Sequence, residues 1–393
     1  MPLSEAAGPV HPSPTAGLPA PEGLACEWPG SLPASDATTG PSLARPWPGS
    51  GPLHVVMVAA AADPSDRASK LAQALQCHAQ AGGRRVLMHA PPHPSGLVVA
   101  ARQAASAANA DGGVVLAIGG DGTINTVGHA CWAAGVALAV VAQGTFNFFA
   151  RQQGLPQDLD EALAAVMRAL ADGQLRPVQV GQVNGQLFLV NASLGLYPRL
   201  LAEREQATRR FGRHRLVALL AGVASLLRPH FGHRLRLLVR DEHGQSHRSE
   251  RLASTLFVGN NALQLDSVGL PEAVAVQQGA LGAVALTPQP PLGMLRLLWR
   301  AWRGRLADDP AVHNLACSAI TVLGDRHRLS QRIKVAFDGE SRWMALPVAF
   351  AVAPRPLWLV ASPAMHAAVP APGGPSPMSA SARATAAGGL ARA

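Results

Sequence analysis

Val114-Val115-Leu116-Ala117-Ile118-Gly119-Gly120-Asp121-Gly122-Thr123-Ile124-Asn125 is the stretch on which the fold turns. The apolar run 114–118 reads as a buried strand, and the glycines behind it open a helix read over 126–134. Glycines permit positive φ and let the main chain approach a ligand closely. A helix start offers unpaired amides to an anion. Asp121 is placed to hold Mg2+ or to align an acceptor hydroxyl. A tight strand-to-helix turn with Asp121 as a cap would leave the same string.

Working outward, strands are predicted at 53–60, 85–89 and 136–142, and helices at 67–81, 98–110 and 159–170. Leu159, Leu163, Val166 and Leu170 lie on one stripe of the last helix. Strand-helix alternation over 53–177 predicts an α/β domain whose parallel sheet carries helices on both faces. After Pro177 the pattern is mostly β, extending over 178–362. Strands are predicted at 178–183, 186–191, 234–239, 255–259, 274–276, 283–286, 319–323, 334–337 and 358–361, with helical inserts at 200–227 and 294–302. Residues 1–52 and 363–393, rich in Pro, Gly and Ala, are expected to be disordered tails.

Hydrophobic residues make up 48% of the 393, enough for a substantial core. The net charge of +9 favours anionic partners, and it is almost entirely arginine, since Lys70 and Lys334 are the only lysines. Cys26, Cys77, Cys131 and Cys317 form no CxxC, which argues against a zinc knuckle or a disulfide framework and suits a reducing cytosol. No signal peptide is read, and the longest apolar run, 130–142, is too short to span a bilayer. The expected location is cytoplasmic, with a peripheral place on the inner face of the membrane left open.

Neither lysine completes a Walker A loop, and Asn125 stands where a Rossmann fingerprint needs its third glycine. A second turn, Gly144-Thr145-Phe146-Asn147, ends the strand at 136–142. Thr145 can donate to a phosphate and Asn147 can hold base or ribose; a capped helix start is the plainer alternative. Ligands on open α/β sheets bind at this strand edge, so two such turns on neighbouring strands suggest one nucleotide crevice. A third element is Phe337-Asp338-Gly339-Glu340. Asp-Gly between apolar strands is a hairpin signal, yet its carboxylates could also set a base beside an acceptor hydroxyl.

In these residues the chain resembles the bacterial branch of the diacylglycerol kinase and sphingosine kinase family. Gly119 to Asn125 is similar to its GGDGT(L/I)N motif, and Gly144 to Arg151 to its GTxNxFAR motif. Asn191 to Tyr197, Val258-Gly259-Asn260-Asn261 and Asp338-Gly339-Glu340 follow in the expected order, and the resemblance covers about 53–362. It implies a nucleotide domain related to NAD kinases, a C-terminal β-sandwich and a cleft between them. It makes Glu340 the proton acceptor with Asp338 in support, Asp121 the organiser of Mg2+, and Gly119, Gly120, Asp121, Gly122, Thr123, Asn125, Gly144, Thr145 and Asn147 the ATP contacts. The implied activity is transfer of the ATP γ-phosphate to a diacylglycerol-like or sphingoid-like hydroxyl.

The chain departs from the family in three places. Ala61-Ala62-Asp63-Pro64 stands for an Asn-Pro-x-x-Gly loop, Phe148 for Asp or His, and Gln277-Gln278-Gly279 for an Asp-Asp-Gly segment that can hold structural Mg2+. Glutamines are poor Mg2+ ligands, so that second site is expected to be absent. The departures keep a catalytically impaired nucleotide-binding regulator as an alternative, and the shared GGDG loop keeps an NAD-type metabolite kinase. Asp241, Glu242, His243 and His247 read as a solvated hairpin rather than a metal site. Arginines between Arg199 and Arg251 lack interleaved aromatics, so no nucleic-acid partner is expected; a homodimer is compatible with the reading. In 294–306, Arg296, Arg300 and Arg303 share one face, with Leu295, Leu298, Trp299, Trp302 and Leu306 opposite. That pattern suits a helix on an anionic membrane, and equally a domain helix with its apolar face in the core.

Overall fold

The computed structural model describes residues 51–58, Leu75, 83–195, 233–323 and 332–362. The helix expected at 67–81, apart from Leu75, the insert at 200–227, both expected tails and Tyr197 lie outside the described residues.

The first layer is built from β1 (Leu53–Val56), β2 (Val86–His89), α1 (Leu97–Asp111), β3 (Val114–Gly119), α2 (Asp121–Ala134), β4 (Leu138–Ala142), α3 (Phe148–Gln152), α4 (Leu159–Ala171) and β5 (Leu175–Val178). β2, β1, β3 and β4 run parallel in that order. Val114 to Ile118 are all buried because the sheet is covered twice. Alternate residues face opposite ways: Val115 and Ala117 pack with α1 and α2, while Val114, Leu116 and Ile118 pack with Leu163, Val166 and Leu170 of α4. On α1, Ala100, Ala101, Ala104, Ala105 and Ala108 are among the buried residues, which lets that helix lie close to the strands. Asp158 caps α4 by accepting from the amides of Asp160 and Glu161.

The second half comprises β6 (Gly181–Val183), β7 (Gln186–Phe188), β8 (Asn191–Gly195), β9 (His233–Arg240), β10 (Ser246–Ala253), β11 (Thr255–Gly259), α5 (Ala262–Ser267), α6 (Glu272–Gln277), β12 (Leu281–Leu286), α7 (Pro291–Trp302), β13 (Val312–Cys317), β14 (Ala319–Leu323), β15 (Arg332–Phe337), β16 (Glu340–Ala345), β17 (Val348–Val352) and β18 (Leu357–Val360). Two antiparallel sheets, β10-β9-β14-β17-β6-β7 and β13-β12-β11-β8-β15-β16, enclose one core through Phe188, Leu237, Ile320 and Phe350 from one and Leu194, Val258, Leu281 and Val335 from the other. The expected α/β domain and β-sandwich are therefore both present.

Four strand expectations need correction. The run 178–183 is divided between the end of β5 and β6, and the run 186–191 between β7 and the start of β8. Residues 274–276 are not a strand but part of α6, where Ala273 and Val276 are buried and Val274 is exposed, which is helical spacing. β18 belongs to the first sheet: it lies between β4 and β5, parallel to one and antiparallel to the other. The end of the β-rich half thus returns to complete the α/β domain, and Trp132 of α2 fastens the approach by donating from Nε1 to the Arg355 carbonyl at 3.0 Å. The Asp241 loop is the turn of the β9-β10 hairpin, with Asp241 Oδ1 accepting from the amides of His243 and Gln245.

Candidate active site

β3 and β4 are adjacent and parallel, with Gly119 opposite Ala142, so their two turns leave the sheet side by side at its C-terminal edge. Gln143 N–H donates to the Gly119 carbonyl at 2.8 Å. Gly120 and Gly144 then meet main chain to main chain: a Cβ on Gly144 would stand 2.7 Å from Gly120 Cα and 2.6 Å from Asn147 Oδ1. A Cβ on Gly119 would meet Thr123 at 2.7 Å. Gly122, by contrast, faces open space. Asn147 takes a left-handed conformation at φ 49°. Its Oδ1 accepts from Gly144 N–H at 2.8 Å and its Nδ2 donates to Gln157 Oε1 at 3.0 Å, so the side chain expected to meet base or ribose is engaged inside its own loop. Thr145 is exposed at the tip of this turn, beside Phe146, which stacks on Phe148 at 5.7 Å.

Asp121 opens α2 and turns toward the start of α3, where Oδ1 accepts a long hydrogen bond from Phe149 N–H at 3.4 Å. Burial raises its pKa, opposed by the amides of Phe149, Phe148 and Asn147. Asp338 lies in the β15-β16 hairpin with Gly339, at φ 42° and 90°, between the paired Phe337 and Glu340. Positive φ at both central residues is the geometry of a type I′ turn, so the hairpin reading holds. The carboxylate also binds main chain beyond its own hairpin. Oδ2 accepts from Leu189 N–H at 2.5 Å, and Oδ1 from Val190 and Asn191 N–H at 3.0 and 2.8 Å. These bonds clamp the hairpin to the connection entering β8. Burial pushes the Asp338 pKa up to about 7 against these three bonds, and the charge of Asp121 adds to the rise. The charge of Asp121, 217 positions away in sequence (338 − 121), thus reaches Asp338 as the smallest of the causes that act on it.

Glu340 stands half-exposed at the start of β16, its Oε2 3.5 Å from Arg342 Nη2. It shares a small polar cleft with Arg102 of α1, and Asn125 and His129 of α2. Burial lowers the His129 pKa, with Arg102 and Arg342 adding to the fall and Glu340 opposing it. Asn125 is buried there and its Oδ1 lacks a hydrogen-bond partner. Sequence reading gave no role to Arg102, His129 or Arg342, because residues scattered over three elements make no local motif.

A polar seam joins the halves around this site. Asn261 caps α5 through Gln264 N–H at 2.9 Å and donates from Nδ2 to the Phe148 carbonyl at 3.0 Å. Gln152 Oε1 accepts from Ala262 N–H at 2.6 Å, and Asn260 accepts from Gln179 Nε2 at 2.8 Å and donates from Nδ2 to the Leu189 carbonyl at 3.0 Å. The Asn-Asn pair at the end of β11 was the available signal. Residues 59–183 match the diacylglycerol kinase catalytic domain. That domain match takes in both glycine turns and stops before the Asp338-Glu340 hairpin. The chain is 39% identical over 122 residues to "Diacylglycerol kinase" of Bacillus subtilis (strain 168), covering 30% of this chain and 38% of the relative. It is 33% identical over 135 residues to "Probable lipid kinase YegS-like" of Cronobacter sakazakii, covering 33% and 40%. The matched stretch therefore spans less than half the length of these curated relatives. The fold extends further: two solved chains from Bacillus anthracis str. Sterne, described as "a putative diacylglycerol kinase" and "a diacylglycerol kinases", align over 80% of this chain and 98% of theirs, at TM-scores of 0.55 and 0.51 with 18% and 16% identity.

The residues present suit Mg2+. Asp121 is a half-buried hard oxygen donor, whereas both oxygens of the buried Asp338 are engaged by main-chain amides, so Asp121 is the side chain that would hold the ion. Among the described residues no group of three or more His, Cys, Asp or Glu side chains is placed to hold a metal ion. Mg2+ commonly binds one or two carboxylates together with substrate phosphates, which matches so sparse a donor set.

Proposed function

We propose that the chain is an ATP-dependent lipid kinase that transfers the γ-phosphate to the hydroxyl of a diacylglycerol-like or sphingoid-like acceptor. The observation that carries this reading is the junction at Gly120 and Gly144: two glycine turns in main-chain contact, with Asp121 in one and Asp338 brought in from the other half of the chain. The match to the catalytic domain and the named lipid kinase relatives support the same reading. The amides at the start of α2 and the exposed main chain of Gly122 suit the ATP phosphates. Thr145 is exposed for a further phosphate contact. Asp121 would hold Mg2+, which supplies neutralisation of the phosphate charge when bound. Asp338 anchors the hairpin, and Glu340 takes the acceptor proton as the hydroxyl oxygen bonds to the γ-phosphorus and the bond to ADP breaks. Arg102 and Arg342, flanking Glu340, add positive charge where phosphoryl charge is transferred.

An apolar cavity of about 300 Å³ supports a lipid acceptor. It lies under α5 and α7, lined by Phe257, Gln264, Leu265, Met294, Leu297 and Leu298. Gln264 also accepts from Asn191 Nδ2 at 3.0 Å, so the cavity adjoins the seam around the glycine turns. The test is transfer from γ-labelled ATP, with Mg2+, to a panel of diacylglycerol, sphingoid and undecaprenyl-type lipids, with NAD as the soluble alternative. Labelled lipid is the expected product. Labelled NADP, or ATP binding without transfer to any acceptor, would overturn the reading.

A further inference from the structure

α7 has more apolar surface than the core uses. Gly293, Met294 and Leu297 are its buried residues. Leu292, Leu295, Leu298, Trp299 and Trp302 remain outside, at 80%, 44%, 43%, 52% and 66% exposure. At 3.6 residues per turn these five form one continuous stripe next to the buried one. The basic residues Arg303, Arg296 and Arg300 border its other edge, about a quarter-turn away, rather than lying opposite. The helix is therefore neither a plain core helix nor the two-faced helix expected from its sequence; it has a core stripe, an exposed Leu/Trp stripe and a basic stripe.

The three arginines differ in what they do. Arg296 and Arg300 reach the buried carboxylate of Asp309, with Nε 2.8 Å and 3.4 Å from its Oδ2. They lock α7 to the turn before β13. Arg303 lies over the Trp299 ring at 4.4 Å, on the exposed side. Tryptophans flanked by arginine are the composition of a membrane–water interface, where the ring is half in apolar surroundings and the cation stays with headgroups. Leu298 belongs both to the exposed stripe and to the wall of the apolar cavity, so the outer surface and the cavity are continuous at that residue.

We propose that the Leu292, Leu295, Trp299 and Trp302 face of α7 inserts into an anionic bilayer surface, with Arg303 at headgroup level, and that the acceptor lipid passes from the bilayer into the cavity beside Leu298. The docking step stands on the helix alone; the passage of the acceptor rests on the lipid-kinase reading. Bilayer rather than protein is the occupant because aromatic, aliphatic and cationic side chains are graded around one helix and the same helix roofs an apolar cavity.

The experiment uses the full chain and its Leu292→Gln/Trp302→Gln double variant, both substitutions being at exposed positions, with Arg303→Gln as a second variant. Each is co-sedimented with vesicles of phosphatidylglycerol in phosphatidylcholine and with vesicles of phosphatidylcholine alone. Wild type is expected to bind the anionic vesicles, the double variant to lose binding by on the order of tenfold or more to both, and Arg303→Gln to lose mainly the anionic preference. ATP affinity stays at the wild-type level in each. Phosphotransfer falls for a vesicle-borne acceptor and persists for a short-chain, water-dispersed one. A folded double variant that partitions like wild type overturns the proposal. So does a change of oligomeric state in the double variant without any change in vesicle binding, which would make the stripe a contact with a second copy. Vesicle binding through this face in a chain that phosphorylates no lipid upholds the docking and removes the lipid-kinase reading.

Discussion

Substituting Gly144 and Gly122 separately by alanine tests the junction of the two turns, because the structure gives the two methyl groups opposite surroundings. At Gly144 the new Cβ would stand 2.6 Å from Asn147 Oδ1, 2.7 Å from Gly120 Cα and 3.6 Å from Asp121 N. Asn147 Oδ1 is held by Gly144 N–H and Gly120 is main chain, so neither neighbour is the free end of a flexible side chain. Reaching an ordinary separation of about 3.5–4.0 Å moves the turns apart by about an ångström. Overpacking of this kind costs about 1–3 kcal/mol, and an ångström of misplacement at a reacting centre costs about 10²-fold in rate. At Gly122 nothing of the protein lies within 4 Å of the new Cβ and the backbone is helical. Alanine there should stabilise by about 0.4–1 kcal/mol through the unfolded chain. If phosphate approaches this main chain, the same methyl should still raise the KM for ATP by on the order of tenfold or more. Denaturant melts and steady-state kinetics on the two variants decide the matter. Wild-type stability and turnover in Gly144→Ala would refute the contact between the turns. A stabilised Gly122→Ala with unchanged ATP kinetics would refute phosphate binding at that amide.

Asp121→Asn should retain the acceptor for Phe149 N–H and so lose at most about 1 kcal/mol, while phosphotransfer falls below a tenth of wild type; turnover above that level in a normally melting variant would make Asp121 only a cap. Glu340→Gln should lower kcat by about 10²-fold or more with ATP affinity retained, since glutamine cannot accept the proton; the Asp338-Gly339 turn is untouched, so a purely structural hairpin predicts almost no change. Because burial pushes the folded pKa of Asp338 up to about 7, above its ordinary 3.8, its contribution to stability should be complete below about pH 4 and be lost as pH rises through about 7. Removing the charge of Asp121 lowers the folded pKa, so Asp121→Asn should make that decline shallower in denaturant titrations across the same range. Replacing Arg296 and Arg300 together by Gln deprives Asp309 of two cationic partners, and the loss should fall at or below the low end of the roughly 3–5 kcal/mol of a buried pair, since both guanidiniums keep some solvent contact. Arg303→Gln should melt like wild type, which separates the basic residue available to a membrane from the two that hold the helix.

The α/β half was legible because its signals are local. A buried apolar strand, a glycine turn and a helix follow one another without a gap at 114–134, and the second turn repeats the pattern after 142. The strand at 255–259 and the one at 319–323 were read with the bounds they have, since turn residues flank both runs. β10, Ser-His-Arg-Ser-Glu-Arg at 246–251, escaped because an edge strand needs no apolar face and its charges protect the open edge. The return of β18 to the first sheet escaped for a different reason: Leu357–Val360 is apolar enough for any interior, and only pairing with Leu175–Val178 selects the sheet. Asp121, Asp338 and Glu340 stand out in the sequence as candidates, but how they are placed depends on the connection entering β8, whose three amides fix Asp338. The internal hydrogen bonds of Asn147 and the cluster of Arg102, His129 and Arg342 around Glu340 are products of packing that no spacing in the chain encodes.

Transfer of a terminal phosphate onto a lipid hydroxyl at this site is tested most directly by following label from ATP into the organic phase. The protein is incubated with Mg2+ and the lipid panel, and γ-labelled nucleotide is compared with α-labelled nucleotide. Organic-phase label is expected from the γ position alone, reduced below a tenth of wild type in Asp121→Asn and by about 10²-fold or more in Glu340→Gln. Folded, ATP-binding protein that leaves all γ-label in the aqueous phase with every lipid, or an unchanged rate in both variants, would contradict it.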